Sequence, residues 1–219
     1  MKREFKFKNG KKLEVRTIYG IGKNYAKHAA EFGGGIPEEP IIFIKPPVSY
    51  IENGGVIKLP AMSNNVHHEV ELVVVIGKDC ANIPASSARE YIAGYAVGID
   101  VTMRDIQFKA KEKGEPWAVA KGFYSSAPIS EVIPAEEFGE EIPNFELILK
   151  VNNEIIQNSS TKFMERSVAT LIEYLSKIFT LEEGDCIFTG TPEGVGRIQS
   201  GDKIYAELSG FVTLNVIAE

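Results

Sequence analysis

Hydrophobic positions in this 219-residue chain recur mostly with the two-residue period of strands, and only a few stretches carry a helical period. The densest apolar run extends from Val70 to Ile76 inside VHHEVELVVVIGKD. Its β-branched residues suit a strand buried on both faces. EFKFKNGKKLEVRTI predicts an opening hairpin turned at Asn9-Gly10, and FELILKVNNEIIQNSS predicts a second hairpin. PIIFIKPPVSYI is a strand broken by Pro46 and Pro47, followed by an Asn53-Gly54 turn and the short strand VIKLP. DCIFTG, DKIYAEL and FVTLNVIAE add strands near the C-terminus, the first two entered through turns at Gly184-Asp185 and Gly201-Asp202.

Helical patterns are fewer. NYAKHAAEFGGG reads as a short helix stopped by Gly33, Gly34 and Gly35. PASSAREYIAGYAVGID gives a short helix and then an apolar run ending at Asp100. TMRDIQFKAKEKG is a helix in which Thr102 and Asp105 have the spacing of a capping box. SVATLIEYLSKIFTLEEGD is amphipathic, with Val168, Leu171, Leu175 and Ile178 on one stripe. Strands without regular βα alternation predict a mainly β fold with a few helices (α+β) and argue against a Rossmann sheet. The length suits one catalytic domain over 1–219, with 1–18 as an N-terminal hairpin and 19–35 as a lid-like segment.

Composition narrows the partners. Hydrophobic residues make up 44% and charged residues 25%, with a formal net charge of -6. That balance disfavours nucleic acid and anionic membranes, and leaves room for a local basic pocket that takes a small anionic metabolite. The N-terminus lacks the apolar core of a signal peptide, and no apolar run approaches a bilayer span, so a cytoplasmic location is expected. Cys80 and Cys186, beside strand-like segments, read as buried reduced thiols.

The chemistry begins with Glu69 and Glu71. Two residues apart on a strand, both side chains point the same way, and two buried like charges repel. A hard divalent cation would compensate them, with Asp100 as a third oxygen donor. They could equally lie on a solvated face, or pair with Lys45, Arg104 or Lys121. Asp105 is a weaker ligand candidate because a capping role already explains it. His67 and His68 suggest zinc, without a thiolate or an HExxH helix to support it. His28 and Glu31 share a helix face, so the carboxylate can orient the imidazole as a general base or form an ordinary surface pair. Gly20 and Gly22, just before this helix, could let it move as a lid. In FTGTPEGVG, Thr189, Gly190 and Thr191 offer hydroxyl and N–H donors to a carboxylate, or form a structural turn.

Three of these stretches, GKNYAKHAAEFG, HHEVELVVVIGKD and TLEEGDCIFTGTPEGVG, together resemble the fumarylacetoacetate hydrolase family. GYAVGIDVTMRDIQ and PWAVAKGFYSSAPIS lie between them in that family's order. The match is closest to its compact branch of acylpyruvate hydrolases and oxaloacetate decarboxylases. The resemblance implies a mixed β-sandwich roll, a homodimer, and Mg²⁺ or Mn²⁺ bound by Glu69, Glu71 and Asp100. It further implies that His28 and Glu31 activate water, that Arg104, Gln107 and Lys121 contact the carboxylate and carbonyl oxygens of a keto-acid substrate, with Lys121 also assisting catalysis, and that Thr191 belongs to the loop closing the pocket. The activity expected is metal-dependent hydrolysis of the C–C bond of 3-acylpyruvates, with oxaloacetate decarboxylation from the same site. An isomerase or decarboxylase of the hydroxymuconate type and a silent dicarboxylate-binding protein are the alternatives. Departures from the family pattern are Ile21 and Lys23 in the lid motif, Asn152-Asn153, and Ser126-Ala127 before Pro128. Phe32, Ile36, Phe123 and Tyr124 are expected to shape the acyl pocket.

Overall fold

The run Val70–Ile76 is an interior strand of a six-stranded mixed sheet. The computed structural model describes residues 2–31 and 33–219. The strands follow the order Ile133–Pro134, Ile92–Ile99, Val70–Ile76, Cys186–Phe188, Ile18–Gly22 and Ile41–Lys45. Alternation along Val70–Ile76 sends Leu72, Val74 and Ile76 into the larger core, and Val73 and Val75 into a smaller core with Phe5, Phe7 and Phe188. Each such side chain contributes about 1.5–3 kcal/mol by leaving water, which is why the run is apolar on both parities.

The second sheet has five strands in the order Glu154–Ser160, Glu146–Val151, Lys203–Leu208, Val212–Ala218 and Val56–Ile57. Leu147, Leu149, Ala206 and Leu214 from this sheet meet Leu72, Val74 and Val97 from the first in the larger core. The result is the mainly β fold with a few helices that the hydrophobic pattern predicts, and the mixed β-sandwich that the family resemblance implies. Cys80 and Cys186 are buried free thiols, as expected. No helix among the described residues is long and apolar enough to cross a membrane.

Both expected hairpins form. Glu4–Lys6 pairs antiparallel with Lys12–Glu14, and Gly10 in the turn has φ +86°. Glu146–Val151 pairs with Glu154–Ser160 through Asn152 and Asn153, both left-handed at φ 50° and 72°. Asparagine tolerates that region, so Asn-Asn serves where Asn-Gly is the commoner choice.

The short helix expected before the apolar run forms as a 3₁₀ helix over Ala85–Tyr91. Three local expectations are corrected. In the amphipathic helix Val168–Ile178, Val168, Leu171 and Leu175 are buried but Ile178 is 53% exposed, because the last turn projects past the core. Thr102 does not cap the helix Arg104–Lys113: it lies in the strand Thr102–Met103, and its hydroxyl donates to Glu69. Gly20 and Gly22 are no hinge. They lie in the paired strand Ile18–Gly22, and a Cβ on Gly20 would meet the Phe43 ring at 2.2 Å.

Candidate active site

Strand register assembles the site. Val70 pairs with Ile99 in the antiparallel ladder, so the residues just beyond, Glu69 and Asp100, face each other, and the Asp100 amide donates to the Glu69 carbonyl at 2.8 Å. On the other flank Phe188 pairs with Val73, which brings the Thr189-Gly190-Thr191 turn beside Glu71. Thr189 donates through its amide and its hydroxyl to the Leu72 carbonyl, and the Gly190 amide donates to Glu71 Oε2 at 2.6 Å.

Glu69, Glu71 and Asp100 each present a carboxylate oxygen within 4.8 Å of the others. Their exposures of 4%, 1% and 0% rule out the solvated face. The cation pairing left open by the sequence is present for two of them. Arg104 and Lys121 bind Glu69, Lys121 also reaches Asp100 Oδ2 at 2.5 Å, and Lys45 Nζ lies 2.7 Å from Asp100 Oδ1. Burial opposes ionisation of Glu69, yet Lys121 and Arg104 hold its carboxyl well below the usual range. Glu71 forms no ion pair among the described residues. Burial, then the charges of Asp100 and Glu69, push it well above the usual range.

Lys45 is fully buried and its protons are directed at the carbonyls of Val101, Lys121 and Ser126. Asp100 Oδ1 therefore has an ammonium nearby but accepts no aligned hydrogen bond. Glu71, buried beside two other carboxylates and without an ion pair among the described residues, fits a bound cation. Three hard oxygen donors without sulfur suit Mg²⁺ or Mn²⁺ chemistry. The cluster can hold a divalent metal.

His28 and Glu31 lie on the short helix Ala26–Glu31, with His28 Nδ1 3.1 Å from Glu31 Oε2. His28 is 8% exposed, and burial, partly offset by Glu69 and Glu31, lowers its pKa below 6.5. Glu31 Oε1 accepts the Gly194 amide at 2.7 Å, and Lys27 pairs with Glu193 at 3.4 Å. Asn24 donates to the carbonyls of Thr189 and Arg166 and accepts the Arg166 amide. The helix is thus tied to the TGTP turn and the loop after it.

One cavity collects most of the residues singled out from the sequence. His28, Glu69, Glu71, Arg104, Gln107, Lys121 and Thr191 line it. Glu31 and Asp100 stand behind His28 and Lys121 through the bonds above. Gln107 Oε1 accepts from Arg104 at 2.6 Å, and Thr191 Oγ1 accepts from Gln157 at 2.9 Å. Lys121 Nζ lies 4.7 Å from the centroid of the Phe43 ring, another wall of the cavity.

Ile36, Phe123 and Tyr124 are not among the lining residues: Phe123 packs on the larger core and Tyr124 is 53% exposed. Phe32 lies outside the described residues. The sequence reading missed Lys111, Trp117 and Phe43, which do line the cavity. The i, i+4 spacing of Gln107 and Lys111 on one helix could have pointed to Lys111. It also missed Gln157, a buried residue of the second sheet. Gln157 accepts the Val70 amide, pairs with His68 Nδ1, and donates to Thr191 and Pro192. His67 pairs with Asn65 and Arg104, so neither histidine joins the carboxylate cluster.

Known proteins share this arrangement at the level of fold and sequence. Residues 17–217 match the C-terminal domain of fumarylacetoacetate hydrolase. The mitochondrial oxaloacetate tautomerase FAHD1 of Arabidopsis thaliana is 49% identical over 93% of this chain and 89% of its own. Its Homo sapiens counterpart is 43% identical over 93% and 92%. Fumarylpyruvate hydrolase from Pseudomonas aeruginosa, solved in complex with Mn²⁺ and pyruvate, superposes with a TM-score of 0.94 at 36% identity, covering 99% of this chain and 95% of that one. The 5-carboxymethyl-2-hydroxymuconate delta-isomerase from Mycobacterium smegmatis superposes at 0.82 with 39% identity, covering 94% and 80%. With that match along nearly its whole length, the chain belongs to the fumarylacetoacetate hydrolase family, whose members named here are enzymes.

Proposed function

We propose that the protein is a divalent-metal-dependent enzyme of short 2-oxo acids, and that its main reaction is keto–enol tautomerisation of oxaloacetate. The observation that carries this reading is the His28 imidazole, held by Glu31 and lining the same cavity as the Glu69 and Glu71 carboxylates. The oxaloacetate tautomerases among its relatives support it at 43% and 49% identity.

Glu69, Glu71 and Asp100 would hold a Mg²⁺ or Mn²⁺ ion, which would supply a Lewis acid favouring negative charge on the oxygens of a 2-oxo acid. The residues supply the rest. Glu31 holds Nδ1 of His28, so Nε2 is the nitrogen that takes the proton from C3 of the keto form. As that C–H bond breaks, its electrons form the C2–C3 double bond and the C2 oxygen gains charge. Lys121 and Arg104, through their positive charge, and Gln107, through its side-chain amide, would stabilise the oxygens from the cavity wall. Return of the proton to that oxygen completes the enol, and the reverse sequence regenerates the ketone. Thr191 lines the same cavity.

Hydrolysis of 3-acylpyruvates is the second reading, favoured by the close superposition on fumarylpyruvate hydrolase. There His28 would deprotonate a water that adds to the distal carbonyl. The C3–C4 bond then breaks, releasing a carboxylic acid and the enol of pyruvate, which takes a proton at C3. Decarboxylation of oxaloacetate needs the same enolate and no water. Ultraviolet absorbance separates them when Mg²⁺-loaded protein is given the enol of oxaloacetate or acetylpyruvate in parallel. Faster conversion of the oxaloacetate enol with acetylpyruvate intact supports the tautomerase. Loss of acetylpyruvate with no effect on the oxaloacetate enol supports the hydrolase instead.

A further inference from the structure

Two lysines line the cavity that the proposed chemistry does not use, Lys23 and Lys111. Lys111 lies four residues after Gln107 and seven after Arg104 in the helix Arg104–Lys113, so all three share one face. Its ammonium sits 4.9 Å from the centroid of the Trp117 ring and 5.7 Å from that of Phe108. Such contacts hold a cation in place while shielding part of it from water. Lys23 arrives from the other wall, directly after the strand Ile18–Gly22, in a left-handed conformation with φ +57°. A non-glycine residue rarely adopts that region outside sites that constrain it.

The cavity thus gathers Lys23, Arg104, Lys111 and Lys121. Arg104 and Lys121 are matched by Glu69. Burial, with the charges of Arg104, Lys121 and Lys23, lowers the Lys111 ammonium to about 8. It still carries its proton at neutral pH. An anion placed beside Lys111 and Lys23 relieves their mutual repulsion, whereas an uncharged tail does not.

We propose that Lys111, seated on Trp117 and supported by Lys23, binds the second carboxylate of a 2-oxo dicarboxylate and selects such substrates over 2-oxo acids with an uncharged tail. This rests on the reading of the cavity as a site for 2-oxo acids. The 2-oxo acid end of the substrate would lie toward Glu69, Glu71 and Asp100, and the far carboxylate toward Lys111. Lys111 is a specificity residue, separate from the proton transfer at His28.

The chain has a single tryptophan, Trp117, so intrinsic fluorescence reports on this wall of the cavity. Mg²⁺-loaded wild type, Lys111→Met, Lys111→Arg and Lys23→Met are titrated with pyruvate and with 3,3-difluoro-oxaloacetate, a dicarboxylate with no C3 proton to move. Wild type should bind the dicarboxylate more tightly. Lys111→Met should weaken it about ten-fold or more, with pyruvate changed by less than about two-fold. Lys111→Arg should restore most of the preference, and Lys23→Met should show a smaller loss in the same direction. Equal weakening of both ligands in Lys111→Met, or an unchanged preference, overturns the assignment of Lys111 and leaves the 2-oxo acid site standing. Wild type that binds neither ligand and leaves the oxaloacetate enol unconverted overturns both.

Discussion

The Gly190 amide donates to Oε2 of Glu71 at 2.6 Å, so the TGTP turn holds a carboxylate that belongs to the protein itself. This geometry needs glycine. Its φ is +101°, and a Cβ there would stand 2.8 Å from Cβ of Asn24, which anchors the His28 helix. Gly190→Ala should therefore disturb Glu71 and Asn24 together, at a cost of about 1–3 kcal/mol. Thermal unfolding in EDTA and calorimetric titration with Mn²⁺ should show lower stability and weaker metal binding.

Glu69 and Glu71 differ in what their removal leaves behind. Glu69→Gln leaves Arg104 and Lys121 short of a buried partner, so the metal-free protein should lose about 3–5 kcal/mol. Glu71→Gln removes a group whose charge is opposed by burial and by its neighbours, so the metal-free protein should keep or gain stability. Both should lose cation affinity. Denaturant unfolding in EDTA checks the contrast in sign, and equal destabilisation by the two substitutions would contradict it.

The pH profile follows from His28. Burial lowers its pKa, so the neutral, proton-accepting form persists below the ordinary imidazole value of 6.5. Activity should stay on its plateau as pH falls through 6.5, then decline as His28 becomes protonated at lower pH. His28→Ala should reduce kcat by about 10²–10⁴-fold and abolish that limb while leaving calorimetric Mn²⁺ binding intact.

Gln157 links the second sheet to the site. Replacing it with Leu leaves the buried Val70 amide without its acceptor and Thr191 without its donor. A loss of about 1–3 kcal/mol in urea unfolding is expected, with Mn²⁺ still bound.

Local pattern carried much of this architecture. The apolar run at Val70–Ile76, the left-handed turn at Gly10 and the stripe of Val168, Leu171 and Leu175 each follow from short-range rules that the packed structure keeps. The two-residue spacing of Glu69 and Glu71 pointed to the carboxylate cluster, and the two stay together although Glu69 stands at the break between the strands Val66–His68 and Val70–Ile76. What depended on register was harder to see. Thr102 has the spacing of a cap, yet its pairing with His67 turns it toward Glu69. Gly20 and Gly22 have the composition of a hinge, yet the Phe43 ring occupies the space a side chain would take at Gly20. Lys45 and Gln157 carry no motif. Their roles come from elements distant in the chain that meet only after folding.

The central claim is that the carboxylate cluster and His28 act together on a 2-oxo acid. The most direct test is the rate of enol-to-ketone conversion of oxaloacetate, followed by ultraviolet absorbance, for EDTA-treated protein before and after Mg²⁺ is restored, with His28→Ala in parallel. The expected result is a rate above the uncatalysed background that is lost in EDTA, recovered with Mg²⁺, and about 10²–10⁴-fold lower in His28→Ala even with Mg²⁺ present. A rate that survives both EDTA and the loss of His28 would contradict the account.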